Sequence, residues 1–465
     1  MPNKKKNKAE NLLLKQESFW DIATREEQSK AFEFCEGYKT FLNTNKTERQ
    51  VILDSISLAK KSGFKDANFE VRIGDNKKFI FNNRNKSAIF ISLGENGFTQ
   101  GAKILLAHTD SPRLDLKVRP LYEDTGIAYL KPHYYGGIKK YQWPTIPLSM
   151  IGTVILKDGK EIEINIGEHK DDQVFLISDL LPHIDLERMD KPLKKAIGAE
   201  ELNIIVGSRP IGDKKIKDRV KLSVLEWLNK NYQMSEVDLF TADIRFVPSF
   251  PVRDVGFDRS MIAGYGQDDR VCVYTGLTAF LASKENQTKI LFLADKEEIG
   301  SVGTTGAKSL FLENVLEYLL RKTNAPISIN DLFRQSKAIS ADVTAALDPD
   351  YKASHDPRNS PYLGNGAVIE KFLGWGGKMM STDAEPKFIR EIVDLFNKKK
   401  VVWQTGHLGK IDEGGGGTIA VYLANRNLDV IDVGVGLLNM HAPYELASKA
   451  DIYSAYKGYN VFFES

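Results

Sequence analysis

The segment Lys289–Gly306, KILFLADKEEIGSVGTTG, changes from an apolar run to charged residues within a few positions. Its first part, residues 290–294, has the length and composition of a buried parallel strand. Two adjacent carboxylates, Glu297 and Glu298, then stand at the carboxyl end of that strand. Burying two carboxylates there costs free energy unless a cation compensates their charge. Two interpretations meet this condition: a solvated turn in which Lys296 pairs with them, or a catalytic centre. The rest of the chain decides between these two interpretations.

The length and composition are those of a globular protein with room for two domains, or for one large domain with an insertion. The chain has 465 residues, of which 42% are hydrophobic and 27% are charged. Its net charge of +2 is close to balance. We therefore expect neither a nucleic-acid partner nor a membrane surface as its partner.

Cysteine usage and hydropathy indicate the compartment. The sequence has two cysteines, Cys35 and Cys272, without a CxxC pattern, which predicts a reducing compartment and argues against a thiolate zinc site. The first residues lack the apolar core and cleavage site of a signal peptide. No apolar window reaches the roughly 18 residues that a membrane helix needs. We therefore expect a cytoplasmic protein.

The pattern of apolar and turn-forming residues changes twice along the chain, which predicts an α/β domain interrupted by an insertion. Residues 1–112 and 251–465 alternate helical periodicity with apolar strands, and this pattern predicts a mainly parallel sheet. Residues 113–250 consist of short strand-like pieces, among them Leu222–Val224, separated by turns rich in Gly, Pro and Lys. We therefore predict an inserted β-rich domain at 113–250.

Several acidic and histidine residues follow apolar strand candidates, and one begins a helix. They are His108, the pair Glu297–Glu298, Asp342 and His441, with Asp268 at the helix start. Because functional groups gather at the carboxyl ends of strands in an open α/β sheet, neighbouring strands would bring them into one crevice. This mixed nitrogen and oxygen set suits zinc, manganese or cobalt better than calcium or magnesium. Singly, a strand-end histidine is also typical of a structural residue, and Asp268 of a helix N-cap.

Five short motifs occur in a distinctive order: His108-Thr109-Asp110-Ser111-Pro112, Asp268-Asp269, residues 295–301, Ser340-Ala341-Asp342 and Met440-His441. Together they closely resemble the aspartyl aminopeptidase family of dinuclear zinc metallopeptidases, which is metallopeptidase family eighteen. The resemblance covers nearly the whole chain, including the insertion. It implies a zinc-peptidase fold and an aminopeptidase that acts on peptides with a free N-terminus. It also implies two divalent metal ions, zinc in the first place, with manganese or cobalt as alternatives.

Carried onto this sequence, the resemblance implies a set of metal ligands shared between two ions. Asp268 would bridge the ions. His108 and Asp342 would complete the protein ligands of one ion, and Glu298 and His441 those of the other. Two divalent ions against three ligand carboxylates would leave the site net positive, so that it could hold a hydroxide near neutral pH.

The resemblance also implies roles for residues that are not ligands. Glu297 would be the general base for a metal-bridging water that attacks the peptide carbonyl, and Asp110 would orient the imidazole of His108. The inserted domain would form dimers that assemble into a tetrahedral dodecamer. In that assembly His183 would reach a neighbouring subunit's active site and donate a hydrogen bond to the oxyanion. A surface histidine without such a role is the alternative.

Two positions depart from the family pattern. Residues 267–269 read Gln-Asp-Asp where the family has Leu-Asp-Asn, so Asp269 places another carboxyl group near the site. Members that prefer acidic N-terminal residues have a lysine where this chain has Glu370, and the nearest lysine is Lys371. We therefore expect preference for a neutral, or even a basic, N-terminal residue. We assign substrate binding to Glu370, Lys371 and His355.

Other functions use the same constellation. A related amidohydrolase, such as a deacylase or a carboxypeptidase, needs the same metal chemistry, so the ligands do not separate it from an aminopeptidase. A non-catalytic protein that kept the fold is a further alternative, and it predicts loss of a ligand or of the base. All five predicted ligands and Glu297 are present, which favours an enzyme.

Overall fold

This computed structural model describes residues 12–70, 76–284 and 286–465, and these residues form three β-sheets flanked by α-helices. In chain order the strands are β1 (Lys65–Asp66), β2 (Lys78–Asn83), β3 (Ser87–Ser92), β4 (Lys103–His108), β5 (Arg113–Asp124), β6 (Ile127–Tyr135), β7 (Leu148–Ile155), β8 (Glu161–Ile166), β9 (Leu176–Ile177), β10 (Ile204–Gly207), β11 (Asp243–Pro248), β12 (Arg253–Val255), β13 (Met261–Gly264), β14 (Lys289–Ala294), β15 (Lys337–Ser340), β16 (Thr344–Ala345), β17 (Ala367–Glu370), β18 (Trp403–Thr405), β19 (Asp429–Gly434), β20 (Gly436–Leu438) and β21 (Glu445–Ser448).

The α-helices of the described ranges vary from 4 to 20 residues in length. They are α1 (Phe19–Ile22), α2 (Arg25–Thr44), α3 (Glu48–Lys61), α4 (Leu186–Met189), α5 (Leu193–Ala196), α6 (Arg219–Tyr232), α7 (Gln267–Ala282), α8 (Phe311–Lys322), α9 (Ile329–Gln335), α10 (Pro386–Lys398), α11 (Ala420–Ala424) and α12 (Lys449–Phe463). None of the helices described has the length and apolar character that crossing a membrane requires.

The central sheet has nine strands within the described ranges, in the order β1-β2-β3-β14-β4-β15-β19-β17-β18. Five neighbouring pairs are parallel and three are antiparallel, so the sheet is mixed, with parallel pairs in the majority. Its middle strands β14, β4, β15 and β19 are adjacent and parallel. Their carboxyl ends therefore lie at one edge of the sheet.

Helices cover both faces of the central sheet, which explains why its strands read as continuous apolar runs. Leu291 and Leu293 of β14 pack on one face, in a core that includes residues of α2, α3, α7, α10 and α12. Ile290 and Phe292 point to the other face, in a core that includes residues of α8, α9 and α11. Successive side chains of a strand alternate between faces, so each face receives every second residue.

The second sheet has seven strands in the part of the chain that is described, all within residues 113–248, in the order β8-β7-β11-β5-β6-β10-β9. Its neighbouring pairs are antiparallel. The prediction of a strand at Leu222–Val224 was wrong, because these residues lie in α6. Val220 and Leu228 are the buried residues of that helix, and their eight-residue spacing is two turns of an α-helix.

The third sheet is small and lies beside the carboxyl edge of the central one. Its five strands in the described ranges follow the order β12-β13-β21-β20-β16. The chain leaves β13 and enters α7 at Gln267, and it leaves β20 shortly before His441. This sheet thus positions Asp268 and His441, two of the predicted ligands.

Candidate metal centre

The parallel register of the central sheet brings three predicted site segments together. Ala294 of β14 pairs with His108 of β4, and Ser340 of β15 pairs with Leu106 of β4. Residues that follow these positions therefore emerge side by side. His108, Glu297 and Glu298 form a group in which one donor atom from each lies within 4.8 Å of the others.

Asp268 lies between two histidines, and this arrangement is the main feature of the site. Its Oδ1 is 3.2 Å from His108 Nε2, and its Oδ2 is 3.0 Å from His441 Nε2. Asp342 Oδ1 lies 3.7 Å from His108 Nε2, and Glu298 Oε2 lies 3.6 Å from His441 Nε2. The five residues thus form two half-sites that share one carboxylate.

Asp269 is a second acid close to one half-site, but its bonding differs from that of Asp268. A donor atom of Asp269 lies within 4.8 Å of donor atoms of His108 and Asp342. Its Oδ2 accepts a hydrogen bond from the main-chain N–H of His108 at 3.3 Å, and its carboxyl group also interacts with the thiol of Cys272. Burial raises the pKa of Asp269 well above its usual range. Because Asp268 faces both histidines whereas Asp269 is grouped with His108 alone, Asp268 is the better candidate for a shared ligand.

Asp110 holds the turn that carries both glutamates. Its Oδ1 accepts the main-chain N–H of Glu297 at 3.1 Å, and its Oδ2 accepts that of Glu298 at 3.2 Å. The Nδ1 of His108 lies 3.0 Å from the main-chain carbonyl of Asp110 and 3.5 Å from its carboxylate. Burial opposes ionisation of Asp110, but its hydrogen bond with His108 lowers the pKa of the carboxyl group overall. A charged Asp110 therefore fixes the turn and the ring together.

The second sheet contributes a segment to the site that the sequence did not predict. The hydroxyl of Tyr135, at the end of β6, donates a hydrogen bond of 2.7 Å to Asp110 Oδ2. The carbonyl oxygen of Gly137 lies 3.0 Å from His441 Nδ1. Gly136 has φ +73°, and a Cβ there would lie 3.2 Å from Glu298. The adjacent glycines were the only signal in the sequence, and they indicate a close approach of the backbone.

Both candidate ligand histidines have one ring nitrogen facing a carbonyl oxygen. For His108 the partner of Nδ1 is the carbonyl of Asp110, and for His441 it is that of Gly137. A carbonyl can only accept, so each Nδ1 is assigned as the protonated nitrogen. In a neutral ring with the proton on Nδ1, the free electron pair is on Nε2. The Nε2 atom faces Asp268 in both histidines.

Glu445 is the other residue that sequence reasoning missed. This buried carboxylate accepts the main-chain N–H of His441 at 2.8 Å and that of Asp268 at 3.2 Å. It therefore fixes the backbone of two candidate ligands, as Asp110 fixes that of the two glutamates. Its position four residues after His441 is a weak signal, because an isolated strand acid is also typical of a solvated surface.

The electrostatics of the cluster favour a bound cation. Burial raises the pKa of Glu297 to about 8 and that of Glu298 well above its usual range. Burial would lower the pKa of His441, but its hydrogen bond with Asp268 raises it to about 11. The Oε1 of Glu298 is enclosed and has no hydrogen-bond partner within the described ranges. Carboxylates that crowd around two imidazoles in this way match the donor set of zinc, manganese or cobalt.

The remaining predicted residues lie in different places. Glu370 is buried and its Oε1 accepts a hydrogen bond of 2.8 Å from the hydroxyl of Thr344, whereas Lys371 is exposed. His355 lines a cleft that His441 also lines. His183 is exposed on a short 3₁₀-helix, and no hydrogen bond or ion pair links it to the candidate metal ligands in the described structure.

Comparison with known proteins gives a consistent result along the chain. A family model described as "Aminopeptidase I zinc metalloprotease (M18)" matches residues 41–463. A probable M18 family aminopeptidase 1 of Clostridium acetobutylicum is 43% identical over 462 residues, which cover 98% of this chain and 99% of that protein. The crystal structure of an M18 aminopeptidase from Thermotoga maritima has a TM-score of 0.93 at 40% identity, with 97% of this chain and 100% of that chain covered. The mApe1 dodecamer of S. cerevisiae has the same fold, with a TM-score of 0.76 at 20% identity, covering 94% and 97% of the two chains.

Proposed function

Because this chain belongs to the M18 family of aminopeptidase I zinc metalloproteases, we propose that it is a two-metal aminopeptidase that removes N-terminal residues from peptides. The observation that carries the proposal is the position of Asp268, whose two oxygens each face a histidine. One ion would be held by His108, Asp268 and Asp342, and the other by Asp268, Glu298 and His441. Zinc fits these donors, as do manganese and cobalt.

The residues around the ligands supply the rest of the reaction. Bound ions would provide Lewis acidity toward the attacking water and the substrate carbonyl. Glu297 stands beside His108 and Glu298 without being needed for either half-site. It takes the proton from the attacking water and delivers it to the leaving amine. Asp110 keeps Glu297 in place through its main-chain N–H. Because Asp110 binds the main chain of Glu297 and not its carboxylate, the side chain remains free to accept and release the proton.

Chelation provides the first test of the proposed function. Removing metal ions should abolish hydrolysis of aminoacyl chromogenic substrates, because no residue of the cluster can replace a Lewis acid. Adding zinc, manganese or cobalt should restore activity, and metal analysis should find two ions per chain. A structure of the metal-loaded protein should place them about 3.5–4 Å apart, as is usual for two-metal hydrolases. A fully active chelated enzyme would contradict the proposal.

Substrate preference distinguishes the aminopeptidase from its closest alternatives. Hydrolysis should require a free α-amine, so an N-acetylated peptide cleaved as fast as the free one would favour a deacylase. For the N-terminal side chain we propose a neutral preference, because Glu370 stands where acid-preferring members have a lysine. The hydrogen bond between Glu370 and Thr344 supports this proposal, since it occupies one carboxylate oxygen. Strong preference for Asp or Glu would indicate that Lys371 or another cation takes the lysine's place.

We also propose that residues 113–250 form a dimerisation domain and that dimers assemble further into a dodecamer, the assembly that mApe1 of S. cerevisiae forms. The surface around His183 supports this. Leu181 and Ile184 are 51% and 66% exposed, and Leu186 and Met189 are 70% and 64% exposed. An apolar stretch of this kind is typical of a contact surface.

A complementation experiment tests whether His183 acts in a neighbouring subunit. Alone, His183→Ala and Glu297→Gln proteins should each be nearly inactive. Dissociated, mixed and reassembled, they should regain part of the activity, because some sites would combine an intact Glu297 with an intact His183 from the neighbour. Verified mixed oligomers without any recovery would leave His183 as a surface residue.

A further inference from the structure

A polar cleft of about 520 Å³ opens directly beside the metal-ligand candidate His441. Three chain segments line it: the loop after β6, the segment from β16 to His355, and β20 with the residues that follow it. The side chains that bear on its chemistry are Lys139, Tyr141, Asp348, Tyr351 and His355. The cleft therefore joins the metal centre to a surface built partly by the second sheet.

The residues that line this cleft include one lysine and one aspartate. Lys139 is exposed, and the described residues offer it no ion pair or side-chain hydrogen bond. Asp348 is the acid among the residues that line the cleft, and its Oδ1 accepts the main-chain N–H of Asp350 at 2.9 Å. Carboxylates dominate on the other side of His441, where Asp268 and Glu298 lie. Lys139 therefore offers an anionic group in the cleft a cation that is unpaired within the described residues.

His355 adds a second observation that points to a ligand. The residue is 9% exposed, and its Nδ1 is enclosed without a hydrogen-bond partner in the described part of the chain. Polar groups in protein interiors are normally paired, because leaving one unpaired costs free energy. Among the described residues nothing pairs with this ring nitrogen, although the ring lies in the wall of a cleft that adjoins a metal ligand.

We propose that this cleft binds the part of the peptide on the carboxyl side of the scissile bond, and that Lys139 and His355 bind a carboxylate there. The inference rests on the proposed aminopeptidase function. In the proposed reaction the metal centre takes the N-terminal residue together with its scissile carbonyl. The chain beyond the scissile bond then extends into the adjoining cleft, toward Lys139 and His355. The carboxylate is either the C-terminus of a dipeptide or an acidic side chain at the second position.

Matched substrates and variants test this assignment. Leucyl-alanine is compared with leucyl-alanine amide to detect a C-terminal carboxylate, and leucyl-aspartic acid α-amide with leucyl-asparagine amide to detect a side-chain one. Each pair is measured with the metal-loaded wild type, with Lys139→Met and with Lys140→Met. Lys140 is the neighbouring lysine and does not line the cleft. Leucyl p-nitroanilide, which has no carboxylate, reports the aminopeptidase reaction itself.

The wild type should hydrolyse the carboxylate-bearing member of one pair with about tenfold higher kcat/KM, as expected for one charge-assisted hydrogen bond. Lys139→Met should lose that preference through KM with kcat unchanged, because the contact is made equally in the ground and transition states. Lys140→Met should retain it, and all three proteins should cleave the anilide equally.

Two results would overturn the assignment. One is equal use of both members of each pair by the wild type, and the other is a preference that survives in Lys139→Met and in His355→Asn. Loss of the preference in Lys140→Met as well would equally overturn it, since that result would indicate general electrostatic attraction. A wild type unable to cleave the anilide would instead contradict the proposed aminopeptidase function.

Discussion

Glu297→Gln is expected to lower kcat by about 10²- to 10⁴-fold while the protein keeps its metal ions, since this is the usual contribution of a general base. Glutamine has the same shape but cannot take a proton from water. The turn should stay in place, because Asp110 holds residue 297 by its main-chain N–H, which the substitution retains. Burial raises the pKa of Glu297 to about 8, and bound divalent cations would lower it, so that the ionised carboxylate can accept the proton.

The adjacent glutamate provides a matched control for this experiment. Glu298 belongs to the half-site of His441, so Glu298→Gln should lower metal content as well as activity. Metal analysis and steady-state kinetics of both variants separate the two roles. The assignment of Glu297 fails if Glu297→Gln has the wild-type kcat, or if it loses metal as Glu298→Gln does.

Asp268→Asn is expected to weaken the binding of both metal ions, because one carboxylate faces both half-sites. Replacing a residue that only supports a ligand costs about 10- to 100-fold in metal affinity, and losing a shared ligand should cost more than that. Activity at limiting zinc should fall accordingly. Titration of the metal-free protein with zinc, followed by calorimetry, measures the number of ions and their affinities.

Asp269→Asn is the control for this prediction, since residue 269 carries the same functional group one position further along. An asparagine amide oxygen can still accept the main-chain N–H of His108, so metal content should remain at the wild-type value. If Asp269→Asn lost an ion and Asp268→Asn did not, the shared carboxylate would be Asp269. Equal loss in both variants would indicate that both residues are ligands.

The sequence determined the family and the order of the functional groups. This information came from apolar strands that are followed by polar residues, namely His108, Glu297 and Glu298, and Asp342. A strand that is buried on both faces is apolar along its length, so its functional side chains stand at or just after its carboxyl end. The parallel register of β14, β4 and β15 brings these carboxyl ends to the same edge of the sheet. Local patterns failed for α6, where a short apolar stretch fits a strand and a helix equally well.

Only the tertiary structure decided how the ligands are held. Tyr135 reaches Asp110 across 25 residues, Glu445 reaches the N–H of Asp268 across 177, and the carbonyl of Gly137 reaches His441 across 304. These partners lie in all three sheets or in the loops that follow them, and no periodicity of a single segment relates one to another. Buried hydrogen-bonding groups must find partners, but which partner each one finds depends on how the sheets pack. The sequence could therefore name the candidate ligands, whereas their orientation was set by packing between distant parts of the chain.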